Sequence, residues 1–258
     1  DLEVEADLLF EQAVFGITLP VTVRTAVRCE TCGGEGASPG THPVTCSECA
    51  GSGQVRRVRQ SLLGQMVTAA ACSRCGGLGQ IVVTPCEACA GHGRLVEERT
   101  YQVDVPAGVD SGSTLRLSGR GAVGPRGGAA GDLYVHLRVR PHERYTRAGH
   151  DLVTTVTVSM VQAALGTTVT LPTLDGEEEL RIPAGTQSGK VFTLRGRGVP
   201  IVRARGRGDL RAELVVQVST KLTATQEELL RRLAEERGES VDPAGGNGLL
   251  SRIKSAFS

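Results

Sequence analysis

CETCGGEG, at Cys29–Gly36, is the first of four copies of one motif. CSECAGSG follows at Cys46–Gly53, CSRCGGLG at Cys72–Gly79 and CEACAGHG at Cys86–Gly93. All four read C-x-x-C-x-G-x-G, and together they use all 8 cysteines of the chain. Two thiolates separated by two residues can reach one metal ion. The glycines let the backbone turn back with positive φ, so that amides approach the sulfurs. Four such knuckles make two four-sulfur sets with no ligand left over and no open position, which is the pattern of structural zinc. Disulfide bridges and redox-active C-x-x-C pairs are the competing readings. A fourfold repeat of both the cysteine spacing and the glycines favours metal, with two Zn2+ per chain. Thiolates must then stay reduced, which points to a cytoplasmic protein. His92 falls inside the fourth knuckle and reads as a solvated bystander.

The segment between the second and third knuckles decides which of them share an ion. Val55 to Gln60 and Met66 to Ala70 flank Ser61-Leu62-Leu63-Gly64, a β-hairpin pattern with its turn at Gly64. A hairpin brings its ends together. The inner set is therefore Cys46, Cys49, Cys72 and Cys75, and the outer set is Cys29, Cys32, Cys86 and Cys89.

The rest of the chain repeats itself. VPAGVDSGSTLRLSGRG at Val105–Gly121 matches IPAGTQSGKVFTLRGRG at Ile182–Gly198, identical at nine of seventeen positions with an offset of 77. Gly131-Asp132-Leu133 matches Gly208-Asp209-Leu210 at the same offset, and apolar strands follow at Tyr134–Arg140 and Arg211–Ser219. Upstream, Asp1-Leu2 matches Asp151-Leu152, Gln12-Ala13 matches Gln162-Ala163, and Gly16 matches Gly166, at an offset of 150. The two offsets differ by 73, so the first copy carries about 73 extra residues, and the cysteine-rich segment lies within them. Each copy is β-rich. Leu2, Val4 and Ala6 alternate with Glu3 and Glu5; Ile17, Leu19, Val21 and Val23 alternate with Thr18, Pro20 and Thr22. Short helices at Leu8–Phe15 and Met160–Leu165 stop at Gly16 and Gly166. Thr225-Gln226-Glu227-Glu228 reads as the capping box of a last helix reaching Arg237 and ended by Gly238. Its apolar stripe, Leu229, Leu230 and Leu233, packs on its own domain or on a partner chain. Pro243, Gly245, Gly246 and Gly248 mark a flexible tail, with a weak helix at Leu249–Phe257.

The chain has 258 residues, with 29 Lys+Arg against 28 Asp+Glu, 34 glycines, 4 Phe, 3 Tyr and no Trp. Balanced charge and few rings speak against a general nucleic-acid binder. Arg195, Arg197, Arg203, Arg205 and Arg207, spaced by glycines, leave an RNA-binding alternative through the Arg/Gly loop 195–208. The related first-copy loop holds only Arg120 and Arg126, which favours a plain loop between strands. No run approaches ~18 apolar residues, so no membrane span is expected. Gly185–Lys190 fails the spacing of a phosphate-binding loop. No catalytic constellation stands out, and the expectation is a non-enzyme.

Four C-x-x-C-x-G-x-G knuckles inserted into the first of two duplicated β-domains resemble the type I J-domain co-chaperones of the DnaJ family, over Asp1 to about Arg237. The resemblance implies two β-sandwich-like C-terminal domains, the nested zinc pairing, and a homodimer joined through the C-terminal end, with Leu229, Leu230 and Leu233 at the contact. It implies binding of unfolded polypeptide in a groove on the first β-domain, at positions matching Leu2, Val21 and Val23, which are otherwise ordinary core. It also implies delivery of clients to a DnaK-type chaperone ATPase working with its nucleotide-exchange factor. Family members begin with a helical J domain bearing His-Pro-Asp and a Gly/Phe-rich linker. Here His42-Pro43 is followed by Val44, so the chain reads as a C-terminal fragment without those parts. The expected organisation is mainly β: residues 1–28 with 94–141 as β-domain I, 29–93 as the zinc module, 142–220 as β-domain II, 221–238 as a dimerisation helix and 239–258 as tail.

Overall fold

The computed structural model describes residues 1–61 and 64–241. In chain order the elements are β1 (Leu2–Leu8), α1 (Phe10–Phe15), β2 (Ile17–Arg28), β3 (Val44–Thr45), β4 (Gln54–Ser61), β5 (Gly64–Ala71), β6 (Gln80–Ile81) and β7 (Arg94–Val105). Then come β8 (Thr114–Leu117), β9 (Leu133–Val139), β10 (Thr146–Ala148), β11 (Asp151–Ser159), α2 (Met160–Leu165), β12 (Thr167–Thr173), β13 (Gly176–Ile182), β14 (Val191–Leu194), β15 (Leu210–Gln217) and α3 (Ala224–Arg237). The chain is mainly β and its described residues divide into two compact units, residues 1–153 with 194–210, and residues 154–193 with 211–241.

In the first unit, alternation on β1 sends Leu2, Val4, Ala6 and Leu8 to one face and Glu3, Glu5 and Asp7 to the other. β1 runs parallel to β9, Leu2 opposite Leu133 through Leu8 opposite Val139, and β9 pairs antiparallel with β8. β2 and β7 form a separate antiparallel ribbon, Ile17 opposite Val105 through Arg28 opposite Arg94. Sheet and ribbon bury one aliphatic core between them: Ala6, Leu8, Val21, Val23, Val103, Val105, Leu133, Val135 and Leu137, with Ala13 of α1. Leu8 is buried in the strand rather than opening the helix, which begins at Phe10. Gly16 ends α1 with φ +80, and a Cβ there would lie 2.9 Å from the backbone of Val105 and Ala107. Only glycine lets the chain reverse so close to β7.

The second copy repeats these devices. Ser159 caps α2 at Gln162, and Gln162 Oε1 accepts from the Ser159 N–H at 3.0 Å, as Gln12 Oε1 accepts from Leu9 at 2.9 Å. Asp132 accepts the Gly119 N–H at 2.8 Å, and Asp209, 77 residues on, accepts the Gly196 N–H at 2.8 Å. The bridges Val123–Ala130 and Pro200–Arg207 stand at that offset too. β12 and β13 pair from Thr167–Ile182 to Thr173–Gly176.

One further sequence expectation shifts. The cap of α3 is Thr223, not Thr225: its hydroxyl accepts from the Gln226 N–H, and Gln226 reaches back to the Thr223 N–H at 2.9 Å. The earlier cap adds a half-turn of helix. Gly238 ends α3 in the left-handed conformation, as read. The β4–β5 hairpin pairs from Gln54–Ala71 to Ser61–Gly64. Leu62 and Leu63 of its expected turn, and Leu249–Phe257 of the tail, lie outside the described residues.

Candidate metal centre

β2 and β7 extend as one ribbon to Arg28 and Arg94, and the cysteine-rich segment hangs from its open end. There the four knuckles come together in nested pairs. Cys29, Cys32, Cys86 and Cys89 form one group and Cys46, Cys49, Cys72 and Cys75 the other, with all sulfurs of a group within 4.8 Å of one another. The β4–β5 hairpin brings the inner two knuckles together, as its pattern predicts.

Within each group the two knuckles clasp each other. The Cys29 N–H donates to Gly93 O at 3.0 Å and the Cys86 N–H to Gly36 O at 2.9 Å. The inner pair repeats this, Cys46 to Gly79 and Cys72 to Gly53, both at 2.9 Å. The last glycine of each motif is thus a structural contact: a Cβ on Gly36 would lie 2.5 Å from Gly91 O, and Gly93 meets Gly34 O in the same way.

The sulfurs are arranged for a cation. Cys32–Cys89, Cys46–Cys72 and Cys49–Cys75 are each 3.8 Å apart. Four sulfurs held ~2.3 Å from one ion at tetrahedral angles lie about 3.8 Å apart. Backbone amides point at the second cysteine of the motif, Gly36 N–H to Cys32 Sγ at 3.3 Å, Gly79 to Cys75 and Gly93 to Cys89 at 3.2 Å. Such bonds stabilise thiolate. The Cys32 amide, with other donors, pulls the Cys29 thiol down to about 7, whereas burial pushes Cys89 up to about 11. Four thiols this close do not all ionise by themselves; a dication at the centre removes the conflict. The donor set is all-sulfur and closed, so both groups could hold a metal ion.

The DnaJ C-terminal domain family matches residues 2–219. The chain belongs to the DnaJ family. It is 48% identical to the chaperone protein DnaJ 2 of Streptomyces avermitilis and 46% identical to the chaperone protein DnaJ 1 of Cutibacterium acnes. Each comparison covers 100% of this chain and 69% of the relative. The chaperone protein DnaJ of Acetivibrio thermocellus is 41% identical over 257 residues, covering 66% of its length.

The remaining residues matched to DnaJ features fall in different environments. Val21 and Val23 on β2 are buried in the core at 5% and 8% exposure, and Leu2 on β1 is half-buried against them. Val4, Tyr101, Leu115 and Leu117, which the sequence reading did not single out, are also half-buried and packed on that core. Their signal was present in the alternation of β1 and of Thr114–Leu117. On α3, Leu229 and Leu233 are exposed at 60% and 54%, Leu230 is half-buried, and Ala234 is the helix's buried residue. The arginine-rich loop is a turn closed by the Pro200–Arg207 bridge. Arg207 donates to Gly198 O at 2.9 Å and lies over the Phe15 ring, while Arg195, Arg203 and Arg205 are exposed. No described helix is long and apolar enough to cross a membrane.

Proposed function

We propose that this DnaJ-family chain is the client-binding part of a cytoplasmic co-chaperone. It takes up unfolded polypeptide as an added strand on the first β-unit and hands it to a DnaK-type ATPase that works with a nucleotide-exchange factor. The observation that carries the reading is an open strand edge beside apolar surface. Among the described residues β1 pairs only with β9, and β2 only with β7, so each offers a row of backbone groups. Backbone pairing gives affinity that tolerates sequence, and a pocket for alternate side chains selects apolar ones. Leu2, with Val4, Leu115 and Leu117, forms the accessible rim; Val21 and Val23 form the floor beneath it.

Two zinc ions hold the outer and inner cysteine groups and keep the module rigid, so that it presents surface to client or ATPase. Leu229 and Leu233, exposed on one side of α3, join two copies into a homodimer, with Leu230 flanking them. The boundaries 1–28 with 94–141, 29–93, 142–220 and 221–238 then correspond to β-domain I, zinc module, β-domain II and dimerisation helix.

Suppression of aggregation of a denatured client tests the groove. Leu2→Asp combined with Val4→Asp should abolish suppression and, because both side chains pack on the core, lower the thermal midpoint by a few degrees without unfolding the chain at assay temperature. Val23→Asp strikes the floor and should lower the midpoint as well. Full suppression by a folded Leu2/Val4 double variant would place the groove elsewhere.

A further inference from the structure

A turn outside the cysteine motifs ties both sulfur groups to the first β-unit. Between β8 and β9 the chain makes a tight reversal, closed by the Val123–Ala130 bridge and by the Gly124 N–H donating to Ala129 O at 3.1 Å. At its tip Arg126 has φ +48, a left-handed conformation uncommon for a residue with a Cβ. Such outliers persist where surrounding contacts fix them.

Here the contacts reach both halves of the module. The Arg126 N–H donates to His92 O at 3.2 Å, and its Nη1 donates to Gln80 O at 3.0 Å. His92 belongs to the fourth knuckle, and its own N–H donates to Cys89 O at 3.0 Å. Gln80 follows Gly79, whose amide points at Cys75 Sγ and whose carbonyl accepts from Cys46. The main chain of Arg126 therefore holds the outer group and its guanidinium the inner one. Gly93 gives it room, since a Cβ there would lie 3.1 Å from Arg126 Cα. On the other side, the Val123 N–H donates to Ala26 O on β2 at 2.8 Å, and Val123 O accepts from Arg94 Nη1 on β7 at 2.9 Å. The turn grips both strands of the ribbon and both halves of what the ribbon carries.

The duplication supplies a control. Arg203 stands 77 residues after Arg126, with φ +60, in a turn closed by the Ile201 N–H donating to Gly206 O at 3.2 Å. Its copy carries no module, and Arg203 is exposed.

We propose that Arg126 is a positioning residue: it fixes the angle at which the cysteine-rich module leaves the β2–β7 ribbon and ties that angle to the filling of both sulfur groups. A two-stranded ribbon twists and bends easily by itself. With Arg126 seated, the module has a third attachment. When the knuckles loosen, His92 O and Gln80 O move with them and the turn loses its partners.

Amide hydrogen exchange tests this on the whole chain, comparing Gly124 with its twin Ile201. Arg126→Gly keeps the positive φ and the main-chain donor and deletes the guanidinium alone. It should retain two zinc ions and speed exchange at Gly124 by about tenfold, the effect of losing one hydrogen bond, with Ile201 unchanged. Chelation of the parent protein should speed Gly124 further and still spare Ile201. Arg126→Lys, which keeps a donor, should restore part of the protection, and Arg203→Gly should leave Gly124 alone. Unchanged Gly124 exchange in a zinc-loaded Arg126→Gly variant would overturn the assignment, as would equal acceleration at Gly124 and Ile201.

Discussion

The β2–β7 ribbon of the first copy and the β12–β13 ribbon of the second begin alike and end differently. In the second copy, β12 and β13 pair as far as Thr173–Gly176 and close over Leu174-Asp175. In the first, the equivalent pair is Val23–Arg99, and the strands run on through Arg28–Arg94 to a module of 65 residues, Cys29–Gly93. The end of a hairpin accepts such an insertion because no core contact depends on it. The inserted chain must then supply its own stability. The ribbon rests on an aliphatic core of Leu8, Val103, Val105, Leu133 and Leu137. Among the described residues the module buries most of its cysteines and Ala37, with Val55 and Ile81 half-buried beside the inner group and Leu95 of β7 beside the outer one. One part of the chain is held by excluded water; the other gathers its sulfurs into two groups that could each hold a metal ion.

Metal removal breaks this comparison most forcefully. Structural zinc contributes on the order of 10 kcal/mol in small peptides, more than an isolated module of this size needs. Chelation should erase exchange protection across residues 29–93 and leave β1 and β9 protected. Simultaneous loss of both would mean that the two parts share one cooperative unit.

The nested pairing sharpens the same point. Cys46→Ser and Cys29→Ser should each lower the zinc count from two to one in native mass spectrometry. They should differ in proteolysis. Cys46→Ser exposes residues 46–79 alone, whereas Cys29→Ser opens the base of the module and admits cleavage on both sides of it.

A core substitution should do the reverse. Leu133 and Leu210 are twins, at 0% and 1% exposure. Leu→Ala at either should cost about 2–5 kcal/mol in thermal or denaturant unfolding, from lost burial and the cavity left behind. The zinc count should stay at two.

The smallest effect comes from one carboxylate of the first copy. The Gly119 amide and then Arg116, at 2.7 Å, hold the Asp132 carboxyl below its ordinary 3.8. Its stabilisation is therefore complete above that value and is lost as pH falls through the lower folded-state value. Asp132→Asn should flatten the acid limb of stability below about pH 4 and change little near neutrality.

Much of this was readable in the sequence, because spacing and periodicity encode it directly. The sulfur pairing followed from one hairpin pattern, and the insertion from two offsets. Other features depend on what lies opposite a residue, which a linear pattern does not carry. Alternation placed Val21 and Val23 on one face of β2 without saying that the β1–β9–β8 sheet covers it. Thr223 and Thr225 both start plausible capping boxes, and the choice rests on which glutamine or glutamate turns back. Leu8 fits strand and helix equally well by sequence; burial beside Leu137 decides for the strand. Arg126 sits in Gly124-Pro125-Arg126-Gly127, an ordinary turn signal, and only the fold brings it against His92 and Gln80.

The most direct test of the account is a zinc and free-thiol titration of the intact, freshly purified chain. The account predicts two zinc ions per chain and eight thiols that react only after a chelator is added. Cystine bridges, or fewer than two ions bound to a chain that still protects residues 29–93 from exchange, would contradict it.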